Sequence, residues 1–259
     1  LILKQCFTDA HVHLASYEPG DLEDVVGRAT EAGVILMVTA GTTVESSLKS
    51  IDLANRYPSI KAAVGIHPLD LTEPIDEMTI NALRQMAEGN PEVVAVSEIG
   101  LDFQDHAPPK NLQNHAFRQQ IRLAKTLKLP IIFHSRDAYP ATLKLLEQEA
   151  AGSTGGAVHY FEGDIATACK FVKLGFYISF GRPLLRFPHL EEAARRIPID
   201  RILLETDAFP QPWKKRRKDW TEPRHVIKVA ERLAELRGLT LEDVAYTTNH
   251  NLKTMLRLM

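Results

Sequence analysis

Eight short apolar segments, rich in β-branched residues, alternate with amphipathic segments along the whole chain. The predicted strands cover residues 3–9, 34–40, 60–66, 92–98, 130–134, 155–159, 176–180 and 201–206. Helical periodicity follows them at residues 21–32, 44–56, 76–88, 112–127, 138–150, 164–174, 188–196 and 223–236, and a last helix is predicted at 240–257. Strands that are apolar throughout are typical of a parallel sheet covered on both faces. Eight such units in 259 residues predict an α/β protein with a (β/α)8 TIM barrel.

A doubly wound open sheet is the alternative architecture for this pattern. It would spread the carboxyl ends of the strands along a line, whereas a barrel gathers them around one point. The sequence has no low-complexity segment and no Pro/Gly-rich linker. We therefore expect residues 1–259 to form a single barrel domain that carries the catalytic site.

Composition excludes some classes of protein and leaves others open. The content of 44% hydrophobic and 25% charged residues is ordinary for a globular protein, and the net charge of −2 provides no overall attraction to nucleic acid. The chain shows no leader peptide and no apolar run near 18 residues, so we expect a cytosolic protein without membrane contact. We also expect it to be a monomer. Two cysteines exclude a disulfide framework, and Cys6 is predicted to be a buried thiol inside the first strand.

Histidine or acidic residues stand at the carboxyl ends of five predicted strands. They are His11, His13, Glu98, His134, His159 and Asp207. Four imidazoles and two carboxylates around one point suit one or two divalent cations. We expect these side chains to lie within roughly 10 Å of the His11/His13 pair, since metal–ligand bonds measure only about 2.0–2.2 Å.

The roles of these residues follow from their positions. His11 and His13 are two residues apart in extended backbone, so both rings can face the same cation. Asp207 ends the eighth strand beside the first, where it can bind the same cation and accept a proton from water. An isolated His-x-His motif often has no function beyond ending a strand. The recurrence at one strand end after another favours the metal site.

A second cation is predicted beside the first. His134 and His159 end neighbouring strands and can supply its ligands. Glu98 ends the fourth strand, where a carboxylate can bridge two cations and reduce their mutual repulsion, and we assign it a catalytic role with Asp207. Taken alone, Glu98 would be interpreted as an acid that caps a helix or loop.

Further residues are predicted to contact substrate. His67 ends the third strand, where it could contact substrate or act as a distant metal ligand, and a structural histidine is an equal alternative. The Arg136 guanidinium suits phosphate or carboxylate. The remaining histidines lie away from strand ends and are predicted to be surface or capping residues: His106, His115, His189, His225 and His250.

A run of five cations follows Asp207 in the loop after the last strand. It consists of Lys214, Lys215, Arg216, Arg217 and Lys218, between Trp213 and Trp220. Such runs usually form a solvated loop. Its position near the strand ends favours a polyanionic substrate, bound through phosphates by the cations and through unpaired bases by a tryptophan.

Motifs along nearly the whole chain resemble the TatD family of metal-dependent deoxyribonucleases, in the amidohydrolase superfamily. They are residues 8–14 (TDAHVHL), 65–68 (GIHP), 98–102 (EIGLD), 134–138 (HSRDA), 159–163 (HYFEG), 204–208 (LETDA), 222–223 (EP) and 247–249 (TTN). The resemblance implies a barrel of the metallo-dependent hydrolase type that cleaves DNA with Mg²⁺. Its metal positions match the same six residues named above.

Four positions depart from the family pattern. Ala15 replaces an acid, Leu69 a histidine, Thr221 an asparagine and Glu162 a serine. None of the four is a predicted metal ligand. Because we expect them near bound substrate, they affect the substrate preference that the resemblance implies.

Three hypotheses result. The first is a deoxyribonuclease, with 3′–5′ exonuclease action as one form, that uses a metal-activated water. The second is an amidohydrolase-like esterase, lactonase or amidase acting on a small substrate, which would not need the basic run. The third is a nucleic-acid-binding protein with a structural metal, which would bind without turnover. Mg²⁺, Zn²⁺ and Mn²⁺ are all compatible with imidazole and carboxylate ligands.

Overall fold

A computed structural model describes residues 6–259 and shows the predicted (β/α)8 barrel. Within these residues eight strands form one parallel sheet in which each strand pairs with the next along the chain. They are β1 (Phe7–Val12), β2 (Val34–Ala40), β3 (Ile60–Val64), β4 (Val93–Asp102), β5 (Ile131–Arg136), β6 (Gly156–Val158), β7 (Tyr177–Phe180) and β8 (Ile202–Leu204). The barrel closes beyond β8, where Val12 pairs with Ala208 and the Asp207 N–H donates to the His11 carbonyl at 3.0 Å.

Nine α-helices cover the outside of the barrel in the described part of the chain. They are α1 (Pro19–Glu31), α2 (Val44–Arg56), α3 (Glu77–Gly89), α4 (Lys110–Leu127), α5 (Tyr139–Gln148), α6 (Ile165–Lys173), α7 (His189–Arg196), α8 (Val226–Arg237) and α9 (Leu241–Met255). Helix α8 begins three residues later than predicted, because a 3₁₀ turn, Pro223–His225, precedes it. No helix in residues 6–259 is long and apolar enough to cross a membrane.

Two strand predictions need correction. The fourth strand was expected to end at Glu98, but β4 continues to Asp102 because its register shifts between Val96 and Ile99 and pairing with β5 then resumes. The prediction of Cys6 as a buried strand residue was wrong, since β1 begins at Phe7 and Cys6 is exposed. Residues 3–5 of the first predicted strand lie outside the described residues.

The inner faces of the strands carry the core at one end and polar groups at the other. Ile132 of β5 and Ala157 of β6 belong to a buried apolar cluster with Leu252 of α9, which closes the bottom of the barrel. His134 and His159 follow two residues later, and side chains two apart in a strand share a face. The alternation that builds the core therefore also aims both imidazoles at the open end.

Candidate metal centre

The structure brings all six predicted residues together at the carboxyl end of the barrel. They surround the floor of an open cleft of about 650 Å³. His11 and Glu98 are buried, and His13 and Asp207 lie half-exposed at the cleft wall. His67 and Arg136 line the same cleft, as expected for residues predicted to contact substrate.

The Glu98 carboxylate lies at the centre of this cluster. Its Oε2 atom is 3.3 Å from His11 Nε2 and 3.4 Å from His13 Nε2. Its Oε1 atom is 2.7 Å from His159 Nε2 and 3.1 Å from His134 Nδ1. Each oxygen therefore faces a different pair of imidazoles. The shift in strand register between Val96 and Ile99 allows Glu98 this inward position in the middle of β4.

The group around Glu98 Oε2 has the geometry of a cation site. His11 Nε2 and His13 Nε2 are 3.3 Å apart, and Asp207 Oδ1 lies 3.2 Å from His13 Nε2. Ligands bound at about 2.0–2.2 Å to one cation are themselves separated by roughly 3–3.5 Å. Asp207 Oδ1 is buried without a hydrogen-bond partner among residues 6–259, as expected for an atom that binds a cation. These residues fit a divalent metal ion.

The group around Glu98 Oε1 offers a second set of ligand atoms. His134 Nδ1 and His159 Nε2 are 3.4 Å apart. His67 Nε2 lies 3.3 Å from the same Glu98 oxygen, and the Leu69 N–H donates to His67 Nδ1 at 3.1 Å. His67 thus belongs to the group of histidines around Glu98. A residue that contacted only substrate would not need to lie this close to Glu98.

The histidines and carboxylates of the cluster shift one another's pKa values. Burial and the neighbouring imidazoles lower the pKa of His11. Burial also opposes a charge on His13, but Asp207 and Glu98 outweigh it and raise its pKa to about 10. Burial opposes ionisation of Asp207 too, yet His13 outweighs burial and lowers the pKa of Asp207 to about 2. The imidazoles around Glu98, His67 first among them, outweigh its burial and hold its pKa well below the usual range. Both carboxylates stay ionised and favour positive charge between them.

Two further carboxylates hold the outer nitrogens of the histidines, and the sequence analysis gave neither a role. Asp102 Oδ2 is 2.9 Å from His134 Nε2. Glu205 Oε1 is 3.2 Å from His159 Nδ1 and accepts the Tyr160 N–H at 2.7 Å. Such partners fix the tautomer and orientation of a metal-binding histidine. Spacing offered one signal: Glu205 is an acidic residue only two positions before Asp207, at the end of the same predicted strand.

Asp9 is a third carboxylate that the sequence analysis left unassigned. It is fully buried, and burial raises its pKa. It accepts hydrogen bonds from the Thr206 N–H at 3.0 Å and the Thr206 hydroxyl at 2.5 Å. These bonds join β1 to the segment after β8. They therefore hold His11 and Asp207, which come from opposite ends of the sequence, in the same place.

The basic run lies beside the cleft and partly in ion pairs. The cleft lining, within residues 6–259, includes Trp213 but not residues 214–218. Arg216 donates to Asp219 Oδ2 at 2.8 Å, and Arg217 pairs with Asp21 of α1. The charges of both arginines are thus partly neutralised within the protein. Contact of the whole run with substrate stays a prediction. Lys215 and Lys218 are exposed, whereas Lys214 donates to the Asp219 carbonyl at 2.9 Å.

The residues that depart from the TatD pattern have different surroundings. Leu69 and Glu162 line the cleft, so they are positioned to affect substrate preference. Thr221 is buried, and its N–H donates to Gln211 at 2.8 Å within the loop after β8. Ala15 lines a separate cavity between α1 and α2.

The histidines predicted to be surface or capping residues lie outside the cluster. Exposed positions are occupied by His106, His115, His189 and His250. His225 Nδ1 accepts the Glu222 N–H at 3.0 Å before α8, which is a capping role.

Comparison with known proteins identifies relatives over the full barrel. Residues 8–257 match the sequence profile of a family described as TatD related DNase. The chain is 36% identical over 256 residues to an uncharacterized metal-dependent hydrolase, YabD, of Bacillus subtilis, covering 97% of this chain and 98% of that protein. It is 34% identical over 261 residues to the 3′-5′ ssDNA/RNA exonuclease TatD of Salmonella typhimurium, covering 95% and 97%.

A solved structure shows the same relationship. The crystal structure of YjjV, a TatD homologue from Escherichia coli, superposes with a TM-score of 0.88 at 31% identity. The superposition covers 98% of each chain. The similarity therefore includes the whole barrel, with the loops that form the cleft.

Asp102→Asn should weaken metal binding without removing a ligand. The asparagine oxygen can still accept the Gln104 N–H, but its amide would donate to His134 Nε2 and move the ring proton to Nδ1, which faces Glu98. Loss of such a partner typically lowers metal affinity about 10- to 100-fold. Calorimetric titration with Mn²⁺ measures the change. Asp105→Asn, which changes an exposed acid three residues beyond the end of β4, is the control. Equal affinities in both variants would contradict the role given to Asp102.

Proposed function

The chain belongs to the TatD family of metal-dependent hydrolases, and from that premise we propose that it hydrolyses phosphodiester bonds of DNA. We propose further that it removes nucleotides from the 3′ end of a strand. The name of the Salmonella typhimurium relative, a 3′-5′ ssDNA/RNA exonuclease, supports this direction. The open cleft supports a polymeric substrate, because a strand end can enter it from solvent.

The observation that carries the proposal is the position of the Glu98 carboxylate between two pairs of imidazoles. His11 and His13 face one oxygen, and His134 and His159 face the other. We propose that two divalent cations would be held here, one by His11, His13 and Asp207 and the other by His134 and His159, with Glu98 contributing to both groups of ligands. Bound there, such cations would polarise the phosphoryl oxygen and make water more acidic.

We assign Asp207 the role of accepting the proton that the attacking water loses. Its Oδ1 atom is buried beside His13, and the residue lines the cleft. As the water oxygen forms its bond to phosphorus, the bond from phosphorus to the 3′ oxygen of the remaining strand breaks. The water proton passes to Asp207, and the departing 3′ oxygen takes up a proton from Asp207 or from solvent in the open cleft. A proton acceptor held at the reacting atom typically contributes about 10²- to 10⁴-fold in rate.

Arg136 is suited to hold the phosphate during this step. It ends β5, is exposed and lines the cleft close to His134. Its guanidinium fork can donate two hydrogen bonds to phosphoryl oxygens and so offset the negative charge that develops on them. His67 lines the same cleft, and its contact with substrate stays a prediction.

The proposal is tested by incubating metal-stripped protein with end-labelled single-stranded and duplex DNA while Mg²⁺, Mn²⁺ or Zn²⁺ is added back. A 5′ label should report a ladder of shortening products, and a 3′ label should be released first as a mononucleotide. Binding of DNA without turnover in any of the three cations would instead support a binding protein. Turnover of a neutral ester or lactone alone would support a small-molecule hydrolase.

We also expect a monomer located in the cytosol.

Asp207→Asn should abolish most turnover while metal remains bound through the histidines. Asparagine keeps one oxygen near His13 but accepts no proton, so kcat should fall about 10²- to 10⁴-fold. Single-turnover DNA cleavage measures the rate, and metal analysis of the same sample measures cation content. Near-normal turnover at unchanged metal content would remove Asp207 from the proton-accepting role.

Changing the three lysines of the basic run to glutamine should reduce the salt dependence of DNA binding. Each contact with a phosphate contributes about 0.7 to the log–log salt slope for single strands, so Lys214, Lys215 and Lys218 together contribute up to about 2. The matched control changes Arg216 and Arg217, which are already paired with Asp219 and Asp21 and should affect the slope less. A slope that is the same in wild type and in the lysine variant would mean that the run is only a solvated loop.

A further inference from the structure

The loop after β8 presents two aromatic side chains at the wall of the cleft. Phe209 and Trp213 lie with ring centroids 5.7 Å apart and planes inclined by 46°. Both line the cleft that includes His13 and Asp207. The Trp213 side chain is 67% exposed, although an indole is among the largest apolar surfaces that folding can bury. The fold thus leaves an aromatic face open to solvent beside the proposed reaction centre.

The other tryptophan near this loop has different surroundings and a structural role. Trp220 is half-buried and packs against the main hydrophobic core, with its ring 6.2 Å from that of Tyr17. The Arg217 guanidinium lies 4.9 Å from the Trp220 ring, and the backbone N–H of Trp220 donates to the Arg217 carbonyl at 3.0 Å. Trp220 therefore attaches the loop to the barrel. Trp213 is not needed for that purpose.

Positive charges lie next to the exposed ring. Lys214 directly follows Trp213 and Lys215 comes next in the chain. Burial, together with the charges of Arg182 and Arg186, lowers the pKa of Lys214. Arg182 also donates to the Thr221 hydroxyl, which ties it to the same loop. An aromatic face flanked by cations matches the chemistry of a nucleotide, whose base stacks and whose phosphate carries negative charge. A purely apolar ligand could not form ion pairs with these lysine and arginine side chains.

The base must be unpaired to reach this ring. Inside a duplex both faces of each base are covered by neighbouring base pairs, and exposing one requires unstacking and unpairing. At the end of a single strand the face is accessible without that cost. Stacking also tolerates any base, because every base has a π face.

We propose that Trp213, backed by Phe209, is a stacking subsite for one unpaired nucleobase near the scissile phosphate, and that it gives the enzyme a preference for single strands. This inference rests on the proposed function, since it assigns the substrate of the same cleft. Trp213 would then determine the preference for single strands without distinguishing one base from another. It is not one of the predicted metal ligands.

The test is a double-mutant cycle between protein and DNA, measured as equilibrium binding by the metal-loaded full-length protein. The ligand is a fluorescent oligothymidylate with phosphorothioate linkages, which resist hydrolysis, and an abasic site is moved stepwise from its 3′ end. Trp213→Ala should raise Kd for the intact strand about 5- to 150-fold, the range for loss of one stacked base. The abasic site at one position should weaken binding to wild type similarly, and should have little effect on Trp213→Ala.

Three controls separate stacking from other effects. Trp213→Tyr should retain most of the affinity, because a phenol ring still stacks. Tyr246→Ala removes an aromatic side chain that is 75% exposed on α9 outside the cleft lining, and should leave Kd unchanged. The log–log salt slope should be the same in wild type and Trp213→Ala, since stacking releases no counterions.

An unchanged Kd in Trp213→Ala would overturn the inference. Equal losses from the abasic site in wild type and in Trp213→Ala, at every position, would also overturn it. These outcomes are distinct from failure of the proposed function, which would appear as no cleavage of ordinary DNA by the metal-loaded wild type. Because binding is measured without turnover, the stacking subsite is decided in either case.

Discussion

The Glu98 carboxylate, shared between two pairs of imidazoles, is the interaction on which the rest of the site depends. One of its oxygens faces His11 and His13, and the other faces His134 and His159. A fully buried carboxylate is costly unless positive charge or hydrogen-bond donors surround it. The barrel supplies them by directing the ends of β1, β5 and β6 toward a point on β4. The register shift within β4 is the local change of backbone that allows Glu98 to meet them.

A second layer of carboxylates makes this arrangement rigid. Asp102 and Glu205 hold the outer nitrogens of two histidines, and Asp9 joins β1 to the segment after β8. Each of these acids is buried and receives hydrogen bonds from the backbone. Burial nevertheless raises the pKa of Asp9. The residues of the cation site thus lie within the strands or up to three residues beyond their ends, whereas Leu69 and Glu162 of the cleft lining lie in connecting segments. This division lets loop residues such as Leu69 and Glu162 vary without disturbing the cation site.

Local sequence patterns were enough to predict the barrel and the six residues that converge, because both follow from the alternation of strands and helices. The extent of β4 was not predictable, since a shift in register depends on pairing with β5 and leaves no periodic signal in its own strand. The roles of Asp102 and Asp9 were missed for a related reason. Their partners are separated from them by 32 and 197 residues, so the contacts exist only once the barrel has closed.

The loop after β8 illustrates the same limit at the surface. The sequence alone does not distinguish the two tryptophans of this loop. In the structure Trp220 packs on Tyr17, whereas Trp213 faces the cleft. It also shows five equal cations, although Arg217 pairs with Asp21, which is almost 200 positions earlier in the chain. Which charges and rings remain available to a ligand is decided by contacts across the fold.

The most direct test of the central claim is anomalous diffraction from crystals soaked in Mn²⁺. The account predicts two anomalous peaks, one on each side of the Glu98 carboxylate and separated by about 3.5–4 Å, as in enzymes with two metal ions. The peak beside Oε2 should contact His11, His13 and Asp207, and the peak beside Oε1 should contact His134 and His159. A diffraction experiment at full Mn²⁺ occupancy with no peak in bonding contact with Glu98 would contradict it.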